Sequence, residues 1–147
     1  MKKFEGYMLF RTFSIIQRLS QIFVTHYLKD RDIQKCHAPI LMTIYLQEGL
    51  TQNELSKYMK FNKGAVAKLV KAIEHEGYIV RRSDENDKRV MHLYLAEKGR
   101  QAIPHIMELE GILSQQMLQG FSPEEKTQLH SMLDRIIKNM SNTTNIQ

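Results

Sequence analysis

At 147 residues the chain has the length of one domain with its own hydrophobic core, and a lone cysteine excludes an intrachain disulfide and favours a reducing, cytoplasmic home. The formal net charge of +5 favours a polyanionic partner, although charge alone fits acidic membranes or RNA as well as duplex DNA. Glu5, Arg11 and Arg18 break up the apolar start, so neither a signal peptide nor a membrane span is expected, and the absence of G-x-S-x-G, Walker, H-E-x-x-H and G-x-G-x-x-G patterns argues against an enzyme.

Residues 1–5 read as loose. From Gly6 to about Lys29, Leu9, Phe13, Ile16, Phe23 and Tyr27 recur at helical spacing, and Ile15, Leu19, Ile22 and Val24 widen the stripe. So broad a face predicts burial against a partner subunit as well as the chain's own core, an ordinary core helix being the alternative. A polar loop follows from Asp30 to His37. Pro39 suits a first helical turn, Ile40, Leu41, Ile44 and Tyr45 make that helix amphipathic, and Gly49 stops it. Leu50-Thr51 is too short to read as a strand by itself.

Thr51 and Glu54 have the spacing of a capping box, and Leu55 and Met59 give the short helix after it one apolar stripe. Lys60-Phe61 makes a break, and Asn62 is placed to cap a second helix. Val66, Leu69, Val70 and Ile73 form the buried stripe of that helix, which Gly77 ends. Lys63, Lys68 and Lys71 fall away from the stripe, so the helix is apolar on one side and cationic on another. Two helices joined by a tight turn, the second one cationic, have the plan of a helix-turn-helix. The β-rich run from Tyr78 to Arg82, the turn-rich SDENDKR and the alternating Val90–Leu95 predict a hairpin directly after it.

Glu97 to about Gln119 reads as a long helix in which Pro104 should cause a kink or a local break. Ser122-Pro123-Glu124-Glu125 starts another helix, with a cap, a proline at its first position and acids at its positive end. Leu129, Met132, Leu133, Ile136, Ile137 and Met140 form its stripe, and residues 141–147 read as a disordered tail. The fold class expected for 1–147 is a single, mostly α domain with a small β-hairpin wing. A winged helix-turn-helix reader (about 38–99) is flanked by N- and C-terminal dimerisation helices (about 6–29 and 100–140). A two-fold dimer would set two recognition helices against successive turns of a palindromic duplex site.

Asp87-Lys88-Arg89, followed by Leu93, Leu95 and Gly99, resembles the D-x-R and L-T-x-x-G signature of the MarR family of bacterial transcriptional regulators. Glu54–Met59 and the run from Val66 to Arg81 are similar to other segments of that family, and the likeness extends along essentially the whole chain. Ala96 stands in place of the usual capping threonine, and Ala65 and Ala67 stand where members often carry hydroxyls on the recognition helix. The resemblance implies a dimeric regulator of double-stranded DNA, a repressor relieved by a small aromatic or amphipathic effector. It also implies that the acid of the D-x-R pair orients its arginine.

The DNA-facing set is Asn62 and Lys63 at the positive helix start, Ala65 and Lys68 along it, and Asp87, Lys88 and Arg89 on the wing. Arginine suits a narrow minor groove, and Asp87 fits beside DNA if it holds Arg89 by a bidentate pair. Lys71 reads as a solvated charge, and Asp84 and Glu85 as turn formers. Tyr7, Phe10 and Met42 are candidates for lining an effector pocket, or plain core. Cys36 lies between Lys35 and His37, which would favour its thiolate, while a passive packed thiol is the alternative. Two further readings keep the fold: a redox- or metal-responsive regulator using Cys36, His37 and His105, and a winged helix that binds protein. No metal is expected, since no paired His or Cys spacing is present, and no cofactor or membrane partner is expected either.

Overall fold

The computed structural model describes the backbone of residues 2–29, 33 and 37–144, and within those bounds the side chains from residue 8 to 143. In chain order they form α1 (Lys2–Tyr27), α2 (Ala38–Leu46), α3 (Gln52–Met59), α4 (Lys63–His75), β1 (Ile79–Ser83), β2 (Met91–Leu95), α5 (Glu97–Met117) and α6 (Pro123–Thr144). The two strands pair antiparallel, Ile79 opposite Leu95 and Ser83 opposite Met91. Gly49 donates to the Leu93 carbonyl and Leu93 to the Leu50 carbonyl, both at 2.9 Å, so the connection between α2 and α3 lies along the hairpin edge as a short third segment.

The core sits where α2, α3, α4, the hairpin and the first half of α5 meet. Ile40, Leu41, Ile44, Leu55, Val66, Val70, Ile73 and Ile106 are fully buried there. Each such aliphatic side chain contributes about 1.5–3 kcal/mol relative to exposure. The helical stripes expected of α3 and α4 therefore face inward, with Leu69 at their margin.

Several expectations need correction. The first helix begins at Lys2, so residues 2–5 are helical. Residues 141–144 belong to α6, which carries the polar tail outward as helix, while residues 145–147 lie outside the described residues. Of the kink or local break expected at Pro104, the break does not occur: α5 runs through it, and Ala102 and Ile103 before it and Ile106 and Leu109 after it are all buried and hold both halves on the core. The Asp30–His37 loop is not simply polar and solvated, since Ile33 and His37 are buried; residues 30–32 and 34–36 lie outside the described residues. Tyr45 is exposed and does not belong to the buried face of α2.

One close approach fixes where α5 starts. Ala96 donates its amide to the Tyr78 carbonyl at 2.9 Å, and no side chain caps the helix there. A Cβ on Gly99 would lie 2.1 Å from that same carbonyl oxygen, a separation no residue with a side chain can adopt. Gly111, on the same helix, faces open space. Gly99→Ala should therefore lower stability by roughly 2–4 kcal/mol, while Gly111→Ala should raise it by about 0.5–1 kcal/mol through helix propensity. Urea unfolding of the two variants checks this, and a Gly99→Ala protein of wild-type stability would contradict the packing.

Candidate nucleic-acid interface

The turn between α3 and α4 is built from side chains that cap backbone. Thr51 Oγ1 accepts the Glu54 amide at 3.3 Å, and the Glu54 carboxylate accepts the Thr51 amide at 2.7 Å, the reciprocal pair expected from the spacing. The Thr51 amide holds the Glu54 carboxyl below its ordinary value. α3 then ends on Lys60 in the left-handed conformation, φ 55°, and the buried Ser56 hydroxyl donates to the Phe61 carbonyl at 2.7 Å. Asn62 opens α4: its Oδ1 accepts the amides of Gly64 at 2.8 Å and Ala65 at 3.4 Å. A Cβ on Gly64 would come within 3.1 Å of that oxygen, so glycine lets the cap sit close.

With Val66, Val70 and Ile73 buried, the geometry of α4 leaves Asn62, Lys63, Ala65, Lys68 and Lys71 exposed. Three cations thus lie on a surface that also carries the positive end of the helix, where anions are favoured. The side-chain oxygen of Asn62 caps the helix and fixes its start, while the residue itself stays exposed at this surface.

The wing continues the hairpin. Asp84 Oδ1 accepts the amides of Asn86 at 2.8 Å and Asp87 at 3.0 Å, closing the turn, and those amides, that of Asp87 foremost, hold its carboxyl below the ordinary range. Asp87 in turn grips Arg89: Nε donates to Oδ1 and an Nη to Oδ2, each at 3.1 Å, and the Arg89 amide donates to Oδ1 at 3.0 Å. This is a fork-to-fork pair with planar geometry on both sides. The Arg89 side chain depresses the Asp87 pKa, yet that side chain is itself 91% exposed. The acid therefore orients the guanidinium without covering it. Lys88 beside it is exposed.

His92 on β2 had no assigned role in the sequence, and the structure gives it one. Its Nδ1 faces the Gly49 carbonyl and its Nε2 lies 3.1 Å from Asp84 Oδ2. Asp84, and then the Gly49 carbonyl, raise the imidazole pKa. The apolar alternation of β2 already placed His92 off the core side, but nothing local signalled a partner eight residues earlier and another 43 earlier.

The remaining candidates do not come together in the same way. His37 is buried at the start of α2, its Nδ1 3.4 Å from a Glu76 carboxylate oxygen and its ring edge-on to Tyr78; burial lowers its pKa. His105 is exposed on α5, and Cys36 lies outside the described residues. Among the described residues no three His, Cys, Asp or Glu side chains are arranged to hold a metal ion. Met42 packs against the core and Phe10 stands 75% exposed on α1; the Tyr7 side chain lies outside the described residues.

Comparison with known proteins agrees with this architecture. The MarR family model matches residues 31–90, which span the helix-turn-helix and the wing loop. The uncharacterized HTH-type transcriptional regulator YybA of Bacillus subtilis is 32% identical over 113 residues, covering 76% of this chain and 75% of its own. The chain belongs to the MarR family. The crystal structure of the regulator SlyA superposes with a TM-score of 0.84 at 27% identity, covering 91% of this chain and 94% of its own. A MarR family regulator from Listeria monocytogenes, solved with a 26mer DNA, gives 0.86 at 23% identity over 90% of this chain and 89% of its own. Members of the MarR family are winged helix-turn-helix, DNA-binding transcriptional regulators and not enzymes.

Proposed function

We propose that this MarR-family regulator works as a cytoplasmic dimer on a palindromic duplex site, with α4 in the major groove and Arg89 in the flanking minor groove. The observation that carries this reading is the Asp87–Arg89 pair: a guanidinium held rigid by an acid yet 91% exposed. Fixing a cation in that way lowers the entropy lost when it enters a narrow groove of enhanced negative potential. Lys63 and Lys88 then contact phosphate, Lys68 reads a base edge or phosphate, and the small Ala65 lets the helix approach the bases. A dimer covering two successive turns excludes other proteins from that stretch, which is repression where the site overlaps a promoter.

Arg89→Ala removes the cation and no buried contact, so the fold should persist while DNA affinity drops roughly tenfold to a hundredfold. Asp87→Ala should reproduce part of that loss, and the double variant should be little worse than Arg89→Ala. Lys68→Ala should either relax sequence preference or weaken binding uniformly with a shallower salt slope. Titration of the four proteins against specific and random duplex at two salt concentrations decides. Tighter binding by Asp87→Ala would mean that the acid merely repels phosphate.

The dimer reading rests on α1 and α6. Leu9, Phe10, Leu19 and Ile22 on α1, and Met132, Ile137 and Met140 on α6, are all at least half exposed in the single chain. Two long helices with that much uncovered apolar surface fit burial against a second copy. Ile137→Asp, at a position the protomer core does not use, should convert a micromolar dimer to a folded monomer in sedimentation. A wild-type protein that sediments as monomer would overturn the reading. A small aromatic or amphipathic effector completes the proposal. A compound that raises the melting temperature and weakens DNA binding would identify it, and a screen of aromatic acids without such a compound would remove the support.

A further inference from the structure

We propose that His92, as the doubly protonated imidazolium, is a positioning residue for the wing, tying the hairpin turn that holds Arg89 to the body of the reader. The inference rests on the wing-arginine reading above and adds the group that sets its geometry. A backbone carbonyl and an ionised carboxylate can only accept hydrogen bonds, and His92 has one facing each ring nitrogen: Gly49 O at Nδ1 and Asp84 Oδ2 at Nε2. Neutral imidazole carries one N–H, so either tautomer leaves a lone pair facing an acceptor. Only the imidazolium satisfies both contacts.

From Asp84 the connection runs on without a gap. Its other oxygen accepts the Asn86 and Asp87 amides, and Asp87 then clamps Arg89 by three hydrogen bonds. At the opposite end, Gly49 belongs to the segment that pairs with Leu93 and leads directly into Thr51 and α3. The orientation of the exposed guanidinium is thereby linked to the start of the helix-turn-helix through a single ring. The charged groups around His92 favour this state: Asp84 from the wing turn and Glu54 from α3 are both acidic. Arg82, its partner across the ladder on β1, has its guanidinium turned over the Tyr94 ring, 4.9 Å from the centroid.

The sign follows from the direction of the shift. The His92 pKa is raised, so the tie that needs both ring N–H groups is fully present below the ordinary imidazole range, and its contribution is lost as pH rises through the raised value. DNA affinity should fall in the same interval.

Two measurements on the full chain test this. In the free protein, NMR follows the His92 ring and the Asn86 and Asp87 amides across the imidazole range; the amides should move with the ring's midpoint and should stay still in His92→Gln. Affinity for a duplex selected by the wild-type protein from a random pool should fall roughly three- to tenfold between about pH 6 and pH 8.5. That dependence should vanish both in His92→Gln and in Arg89→Ala. Amides that ignore the His92 titration, or a His92→Gln protein with the wild-type pH dependence, would overturn the proposal. Amides that follow His92 while Arg89→Ala binds with full affinity would uphold the positioning and refute only the minor-groove contact.

Discussion

The carbonyl and ring of Tyr78 hold the reader together. The residue is 1% exposed, and its amide donates to the Ile73 carbonyl at 3.0 Å, closing the end of α4 just after Gly77 turns the chain with φ 80°. Its carbonyl accepts Ala96 at the start of α5 and leaves no space for a side chain on Gly99. The ring meets His37, the residue before α2, edge-on and carries the Lys98 ammonium 4.2 Å above its face. One buried side chain and its peptide thus fix the exit of the recognition helix, the start of β1, and the angle at which α5 departs toward α6. An error at this point would move α4 relative to the wing, and the cationic surfaces of the two would lose their common geometry.

Outside that junction the reader is assembled from short-range hydrogen bonds that satisfy backbone at segment ends. Thr51 and Glu54 start α3, Ser56 ties the turn, Asn62 starts α4, and Asp84 closes the wing. Apart from that of the buried Ser56, each contact is exposed or partly exposed and individually worth little. Together they specify the path of loops that contain few buried apolar groups. The result is a body held by hydrophobic burial, and an interface whose cations are placed by caps and turns.

Much of this was legible in the sequence because its causes are local. The Thr51–Glu54 capping box, the Asn62 cap, the Val66–Ile73 stripe and the Gly77 stop need only neighbours within a turn or two. The pairing of Asp87 with Arg89 is just as local, and the family resemblance implied it. What the sequence concealed depends on distant partners. His92 requires Gly49 and Asp84, and the need for glycine at 99 comes from a carbonyl 21 positions earlier. Pro104 looked like a break because a lost hydrogen bond is visible locally, whereas the burial of Ile103 and Ile106 on either side is not. The polar end of α6 looked like a tail because composition carries no record of the helix already running through it. The broad stripe of α1 was recognisable, but only the structure shows how little of it the protomer covers.

The central claim is that one site is read in two grooves at once, by α4 and by a wing arginine held in place by Asp87. Dimethyl sulfate interference reports both grooves together, through guanine N7 in the major and adenine N3 in the minor. The account predicts two clusters of guanine interference about 10 base pairs apart or a multiple of that, each flanked on its outer side by adenine interference that Arg89→Ala abolishes while the guanine signals remain. Adenine interference unchanged in Arg89→Ala, or a single unpaired guanine cluster, would contradict it.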